Sequence, residues 1–185
     1  VGNRINMITR WQALEYIVAQ NLERRALAAL GTLTVVPGAV GAWRRSALLQ
    51  LGGFPAETLA EDQDLTIAVQ RAGFTVLFDS TAIARTEAPA TFRGLARQRF
   101  RWAYGTLQCL WKYRDMTFNP RYGALGMIAL PQVWLFQIAL SAVAPLVDMS
   151  FLWQIFGAAM NYAQHGAEFN AANVRKIVIY YCIFM

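Results

Sequence analysis

Two short segments carry the side chains best suited to chemistry. The first is Glu61-Asp62-Gln63-Asp64, at the start of a predicted helix. The second is Gln98-Arg99-Phe100-Arg101-Trp102, in a basic and aromatic segment that precedes a long apolar stretch. A carboxylate can take the proton of an attacking hydroxyl, and a guanidinium can hold a diphosphate through paired hydrogen bonds. An indole offers a flat apolar face to a sugar ring. The combination indicates group transfer from a diphosphate-linked sugar.

The acidic segment has three interpretations. Acidic residues at a helix N-terminus stabilise the helix through its dipole and need no further role. Asp62-Gln63-Asp64 also has the form D-x-D, whose carboxylates can bind Mg²⁺ or Mn²⁺ through the phosphates of a nucleotide. Here the pair opens a helix instead of ending a strand, and Glu61 crowds it. We therefore favour a general base over a metal clamp.

The basic and aromatic segment also has two interpretations. Gln98, Arg101 and Trp102 fall on one face of a predicted helix because they are three and four residues apart. This face suits a diphosphate and a sugar. The alternative is an interfacial helix in which Trp and Arg anchor the surface of a membrane. A stripe on a different side of the helix fits that alternative: Phe100, Tyr104, Leu107 and Trp111. Both interpretations can hold together.

The surrounding pattern predicts an α/β domain. Short apolar runs flanked by glycine and proline predict strands over residues 33–36, 74–78 and 82–85. Helical periodicity and end signals predict the helices that alternate with them. These helices cover residues 9–30, with Thr9 as N-cap, and residues 44–51, 62–72 and 91–114.

A long uncharged stretch follows this domain. Residues 122–147 contain no charged side chain and are long enough to cross a hydrocarbon core of about 30 Å. Pro131 and Pro145 can kink this segment, and Asp148 is expected to close it. Residues 149–164 form a second uncharged stretch, either a continuation of the helix or a re-entrant piece.

The charge distribution agrees with a membrane protein. The net charge is +6, and fifteen of the seventeen Lys and Arg residues lie at or before Arg121. Under the positive-inside rule, this bias places residues 1–121 in the cytoplasm. The alternative is a solvated basic surface. Cys109 and Cys182 have no metal-ligand spacing and are expected to be packing residues, and His165 is assigned no role. Both ends of the chain are interpreted as truncated, since the last apolar run is short for a span.

The two motifs, in this order and ahead of apolar segments, resemble those of the processive family-2 glycosyltransferases. That family includes cellulose, chitin, hyaluronan and poly-N-acetylglucosamine synthases, and its signature is an ED pair followed by Q-x-x-R-W. The flanking segments look most like the poly-N-acetylglucosamine and chitooligosaccharide branch. These segments are Trp11-Gln-Ala-Leu-Glu-Tyr16, Gln20-Asn-Leu-Glu-Arg-Arg25, Val36-Pro-Gly-Ala-Val-Gly-Ala-Trp-Arg-Arg45 and Gly52-Gly-Phe54.

The resemblance implies a role for each motif residue. Asp62 would be the base that deprotonates the acceptor hydroxyl, supported by Glu61 and Asp64. Three side chains, Gln98, Arg99 and Arg101, would contact the pyrophosphate of the donor, and Trp102 would stack on the acceptor sugar. The implied reaction is a single inverting displacement that forms a β-linkage and releases UDP. The donor is expected to be UDP-N-acetylglucosamine and the acceptor a growing polysaccharide.

The resemblance also implies an organisation for the chain. Residues 1–90 would form the second half of a GT-A-type catalytic domain, residues 91–121 an interfacial helix region, and residues 122–185 a transmembrane region. The nucleotide-binding half and its D-x-D motif for Mg²⁺ or Mn²⁺ would lie upstream, so this chain would hold no metal and be inactive alone. The expected setting is the inner (plasma) membrane, as a multi-pass protein with the lipid bilayer and a possible accessory membrane subunit as partners.

Two other functions compete with this one. A non-enzymatic integral membrane protein, such as a transporter fragment with a basic cytoplasmic face, would need paired polar residues inside the membrane. Only Asp148 offers an acid there. A nucleic-acid-binding module would need basic and aromatic surface without a membrane span, and residues 122–147 argue against it. No nucleic-acid partner is expected.

Overall fold

The computed structural model describes residues 1–165, 178–179 and 181–182 and divides into two compact units, Val1–Leu135 and Phe136–Met185. The first unit contains five main helices: α1 (Met7–Ile17), α2 (Arg24–Ala29), α3 (Arg45–Leu51), α4 (Glu61–Arg71) and α5 (Phe92–Lys112). A π-type stretch, Val18–Glu23, joins α1 to α2, and 3₁₀ turns at Arg114–Met116 and Pro120–Tyr122 follow α5. Beyond them lie α6 (Leu130–Gln132) and α7 (Leu140–His165), with π-type stretches Leu125–Ala129 and Val133–Ala139 before each.

Helix α1 starts before the predicted residue. Asn6, not Thr9, is the N-cap: Asn6 Oδ1 accepts from the Thr9 amide at 3.0 Å, and Thr9 Oγ1 accepts from the Asn6 amide at 3.1 Å. This reciprocal arrangement is a capping box, in which Thr occupies the third helical position. Asn6 also donates to the Ala90 carbonyl at 2.7 Å, which ties the start of α1 to the residues ahead of α5. The single helix predicted over 9–30 is interrupted by the π-type stretch.

The helices that hold the two motifs agree with the prediction to within two residues at each end. Three acidic residues lie in the first turn of α4, where the helix dipole favours them. Gly73 follows α4 with a φ of +89°, which glycine adopts without strain. Thr91 caps α5 by accepting from the Gly94 amide at 3.1 Å.

The predicted strands were wrong: none of the described residues forms a β-ladder. A strand requires backbone partners on a neighbouring strand, and residues 33–36 bond to helix side chains instead. Gln70 Nε2 donates to the Leu33 carbonyl at 2.6 Å, and the Val36 amide donates to Thr66 Oγ1 at 2.9 Å. Residues 74–78 and 82–85 likewise form no regular secondary structure, and Leu77 and Ile83 are largely exposed.

The core of the first unit lies where α4 and α5 pack together with the turns that follow α5. Its largest fully buried apolar side chains are Leu65, Ile67, Leu110, Met116 and Leu130. At the crossing point, a Cβ built on Gly105 would lie 2.7 Å from Ala60 Cβ and 2.8 Å from the Ala60 amide nitrogen. Because backbone cannot yield cheaply, only glycine allows α5 this close to the start of α4.

One helix among the described residues, Leu125–Met160, is long and apolar enough to cross a membrane. Its 36 residues have a mean hydropathy of 1.7 in the most apolar window, and none of that window is buried. A core helix is therefore disfavoured. The helix continues through Asp148, so the second uncharged stretch is a continuation of the first, and the prediction that Asp148 closes the segment was wrong. Residues 166–177, with Arg175 and Lys176, and most of the final apolar run lie outside the described residues.

Candidate active site

Asp62 lies in the first turn of α4, half-buried, with hydrogen bonds to both carboxylate oxygens. Oδ1 accepts from the amide of Gln63 at 2.8 Å, and Oδ2 accepts from the amide of Gly38 at 2.9 Å. A carboxylate has about four lone-pair sites, so two remain for a substrate. The neighbouring Glu61 side chain is exposed. The arrangement holds one oriented carboxylate at the surface of the first unit, as a general base requires.

Asp64 has an entirely different environment. Its side chain is fully buried, and its two oxygens accept from Tyr113 Oη at 2.6 Å, from Lys112 Nζ at 3.0 Å and from Thr58 Oγ1 at 3.1 Å. Lys112 also pairs with Glu57 at 2.8 Å. Burial and the Asp64 carboxylate raise the pKa of Tyr113, so the phenol remains a donor. Asp64 therefore joins α4 to α5. Its predicted contact with substrate stays a prediction, and the geometry gives it a positioning role.

Three residues of the second motif face α1. Arg99 pairs with Glu15 at 2.6 Å, and its guanidinium carbon lies 4.7 Å from the ring centroid of Trp102. The rings of Tyr16 and Trp102 are 6.4 Å apart and tilted by 33°. Gln98 hydrogen-bonds to Tyr16, whose pKa is raised by burial. The side-chain oxygen of Gln98 is buried without a partner among the described residues, so it is a candidate acceptor for a ligand donor.

Arg101 differs from Arg99 because its side chain is exposed. The sequence treats the two arginines as equivalent ligands for a pyrophosphate, whereas the structure commits Arg99 to Glu15 and Trp102. On the outer side of α5, the rings of Phe100 and Tyr104 stack at 5.9 Å. Phe100 and Tyr104, two residues of the predicted aromatic stripe, are thus exposed and in contact with each other.

The two motifs approach each other where α5 crosses the start of α4. Gly105 lies against Ala60, and Thr106 Oγ1 donates to Gln63 Oε1 at 2.8 Å. Trp102 is three residues before Gly105, about 4.5 Å along the helix axis. Asp62 is two residues after Ala60. Asp62 and Trp102, the candidates for the base and for the sugar-stacking residue, therefore both lie within about one turn of the same contact.

Several residues that build the site lie outside the two motifs. Gly38 orients Asp62, Tyr113 and Lys112 hold Asp64, and Glu15 holds Arg99. Gly105 was the one that sequence reasoning had the means to find, because a glycine in the interior of a helix destabilises it unless a close approach requires it.

The described residues do not fit a metal site. No group of three or more His, Cys, Asp or Glu side chains is placed to hold an ion in this part of the chain. Although Asp62-Gln63-Asp64 has the D-x-D form, both oxygens of Asp64 are bonded to protein donors. The two carboxylates are therefore not available as a pair.

Among the curated proteins that this chain resembles are three glycosyltransferases. The chain is 34% identical over 113 residues to a probable glycosyltransferase, YdaM, of Bacillus subtilis, covering 61% of this chain and 27% of that protein. It is 37% identical over 112 residues to an N-acetylglucosaminyltransferase of Neorhizobium galegae, covering 56% and 26%. A probable glucomannan 4-beta-mannosyltransferase of rice is 29% identical over 105 residues, covering 57% and 18%.

These alignments span about a quarter or less of the length of each relative. No solved structure is a significant match. The family comparison covers far more of the chain, since residues 1–181 match the description "Glycosyl transferase family group 2". That match includes the acidic turn of α4, the second motif and the contact between them, and the chain therefore belongs to glycosyl transferase family group 2.

Proposed function

We propose that the protein is a membrane-bound inverting glycosyltransferase that adds a sugar from a UDP-sugar to a growing β-linked polysaccharide. Membership of family group 2 implies a GT-A-type fold and a sugar donor and acceptor. The observation that carries the proposal is the oriented Asp62 carboxylate within about one helical turn of the contact between α4 and α5. A sugar hydroxyl is a weak nucleophile, so it gains from such a base.

Asp62 takes the proton of the acceptor hydroxyl while that oxygen attacks the anomeric carbon of the donor. The bond from the anomeric carbon to the UDP oxygen breaks, and UDP leaves with the electron pair. Attack opposite the leaving group inverts the anomeric centre and gives a β-linkage. The amides of Gly38 and Gln63 hold the carboxylate during this step, which lowers the entropic part of the barrier.

The second motif provides the contacts around the reacting centre. Arg101 is exposed, and its planar fork suits the pyrophosphate that leaves. Trp102 lies beside the Arg99 guanidinium and the Tyr16 ring, and its indole is the group that stacks on the acceptor sugar. Gln98 contributes a buried acceptor beside them. In this scheme Arg99 supports Trp102, and its direct contact with the pyrophosphate stays a prediction.

N-acetylglucosamine is the donor sugar that we propose. Proteins named N-acetylglucosaminyltransferase match this chain at 37% and 36% identity, while the rice mannosyltransferase matches at 29%. The chain covers only about a quarter of these N-acetylglucosaminyltransferases. The proposed donor therefore depends on similarity within the part of the protein that we expect to bind the acceptor. We further propose that Mg²⁺ or Mn²⁺ neutralises the diphosphate and is held mainly by residues outside this chain, which is then inactive alone.

The helix Leu125–Met160 and the basic charge ahead of it support a membrane setting. We propose a multi-pass protein of the inner (plasma) membrane with residues 1–121 on the cytoplasmic side, where UDP-sugars are available. The polymer leaves through the lipid-embedded part, with or without an accessory membrane subunit.

The test is UDP release by membranes that contain the intact protein, measured across a panel of UDP-sugars with Asp62→Asn as the paired variant. Release with UDP-N-acetylglucosamine that falls by about 10²–10⁴-fold in Asp62→Asn, with donor binding retained, supports the donor, the reaction and the base together. Release with another sugar only corrects the donor. No release with any sugar, from folded and inserted protein, contradicts the proposed activity.

A further inference from the structure

Helix α4 holds segment 33–38 along one side through its own side chains. Gln70 Nε2 donates to the Leu33 carbonyl at 2.6 Å, and Thr66 Oγ1 accepts from the Val36 amide at 2.9 Å. Thr66 and Gln70 are four residues apart and so lie on one face of the helix. The position of the segment along α4 is set by these two side chains.

The hydroxyl of Thr66 has a second partner. It donates to the carbonyl of Asp62 at 2.6 Å while it accepts from Val36, and the Thr66 side chain is fully buried. Two residues after Val36, the amide of Gly38 donates to Asp62 Oδ2 at 2.9 Å. Hydrogen bonds thus connect the Asp62 carbonyl to Thr66, Thr66 to Val36, and Gly38 back to the Asp62 carboxylate. We call this chain of contacts a closed circuit.

The link between the two ends of this circuit is stiff. Pro37 stands between Val36 and Gly38; its ring fixes its own φ, and its Cδ restricts the residue before it. A displacement of Val36 is therefore carried to Gly38 instead of being absorbed by a flexible loop. The orientation of the Asp62 carboxylate then depends on where Thr66 holds Val36.

We propose that Thr66, assisted by Gln70, is a positioning residue for the transferase reaction: it places the Gly38 amide so that this amide orients the Asp62 carboxylate toward the acceptor hydroxyl. The inference rests on the proposed function. Thr66 is buried beneath the site and touches no reacting atom.

The test compares Thr66→Val with Thr66→Ser in the intact protein in membranes, with UDP release measured against the concentration of UDP-N-acetylglucosamine. Valine keeps the volume and loses both hydrogen bonds, so we expect kcat to fall about tenfold, the factor that corresponds to one net hydrogen bond. KM for the donor stays within about twofold, since Thr66 does not contact the donor. Serine keeps the hydroxyl and restores most of the lost kcat.

Two controls separate positioning from general loss of stability. Thr32 is an equally buried threonine whose hydroxyl donates to the Leu27 carbonyl at 2.9 Å, away from Asp62. We expect Thr32→Val to keep kcat. In an Asp62→Asn background, Thr66→Val should lower kcat little further, because Thr66 acts only through the Asp62 carboxylate, which is then absent.

Three results overturn the inference: unchanged kcat in Thr66→Val, an equal loss in Thr32→Val, or the full tenfold loss in the Asp62→Asn background. Should Thr66→Val not fold, Gln70→Met decides, with a fall in kcat at constant KM supporting the inference and an unchanged kcat overturning it. Failure of the proposed function looks different, because the wild-type protein then releases no UDP or is insensitive to Asp62→Asn.

Discussion

At the residue scale, three neighbouring carboxylates have three environments. Glu61 is exposed, Asp62 is half-buried on two backbone amides, and Asp64 is buried among Thr58, Lys112 and Tyr113. Only the middle one combines a fixed orientation with access to a substrate. Its neighbours differ because one points to solvent and the other into the contact between α4 and α5.

Replacement of Asp64 should lower the stability of the fold more than replacement of Asp62 does. Asp64→Asn removes the buried charge to which Lys112, Tyr113 and Thr58 donate. Lys112 is 31% exposed and also pairs with Glu57, so we expect a loss of about 1–3 kcal/mol. Thermal unfolding of the purified protein should show a lower Tm for Asp64→Asn than for Asp62→Asn. An equal Tm for both variants would contradict the structural role of Asp64.

The two motif arginines should respond differently to lysine. Arg101→Lys loses the bidentate fork and should raise the KM for the UDP-sugar or lower kcat/KM by about tenfold or more. Arg99→Lys keeps a cation near Glu15 and over Trp102, so we expect a smaller effect on donor kinetics. The measurement is UDP release at varied donor concentration. A larger loss in Arg99→Lys would assign the pyrophosphate contact to Arg99 instead.

Cys109 should make stability depend on alkaline pH. Burial, with a smaller effect of the Asp64 carboxylate, raises the pKa of this thiol to about 11 from its ordinary value near 9.0. The fold favours the protonated thiol, so this contribution is complete below about pH 9 and is lost as the pH rises toward about 11, by at most about 1.4 kcal/mol per pH unit. The denaturant midpoint of the wild-type protein should fall between pH 8 and pH 10.5, and the fall should be smaller in Cys109→Ala. An equal fall of the midpoint in the wild-type protein and in Cys109→Ala would contradict the assignment to this thiol.

At the element scale, the site depends on how closely α5 crosses the start of α4. Gly105 permits the contact with Ala60, and two hydrogen bonds flank it, from Thr106 to Gln63 and from the Leu59 amide to Gln108. Helix α1 adds the second support, since Glu15 and Tyr16 contact the second motif. The motifs are therefore positioned by α1, α4 and α5 together.

Gly105→Ala tests this crossing. The new methyl would lie 2.7 Å from Ala60 Cβ and 2.8 Å from its amide nitrogen, so we expect a loss of about 1–3 kcal/mol in stability and a lower kcat as the motifs separate. Gly157→Ala is the matched control, because a Cβ there meets nothing within 4 Å. The measurements are the Tm and the rate of UDP release of both variants, each compared with the wild-type protein. Wild-type behaviour of Gly105→Ala would mean that α5 can shift without cost.

At the scale of the whole molecule, the segment with the two motifs precedes a helix that is apolar enough to cross a membrane. The first unit holds Asp62, the ion pair between Asp64 and Lys112, and the second motif, while none of the most apolar window of Leu125–Met160 is buried. The helix would measure about 54 Å at 1.5 Å per residue, longer than a hydrocarbon core of about 30 Å. Tilt or extension beyond the core accommodates such an excess.

A charge in the middle of this helix should weaken its insertion. Val143 is exposed near the centre of Leu125–Met160, and an arginine at the centre of a span costs about 2.5–3.5 kcal/mol on insertion scales. We expect Val143→Arg to reduce the fraction of protein that resists extraction from membranes by alkaline carbonate, with Val143→Leu unaffected. Equal extraction of the two variants would argue against a span here.

The sequence by itself determined the features that depend on neighbours along the chain. Acidic residues at the start of α4, Gly73 after its end and Thr91 before α5 act within one or two turns, so the helices of both motifs were predicted within two residues. Absence of charge over residues 122–147 similarly predicted an apolar helix, which the structure extends through Asp148.

Only the tertiary structure decided the features that depend on residues far apart in the chain. Three strands were predicted from composition, but a ladder needs a partner strand, and residues 33–36 bond to Gln70 and Thr66 instead. Asp64 turns inward and Arg99 turns toward Glu15 because their partners lie 48 or more residues away in sequence. Local periodicity contains no information about such partners, since burial and hydrogen bonding between helices are set when the chain packs.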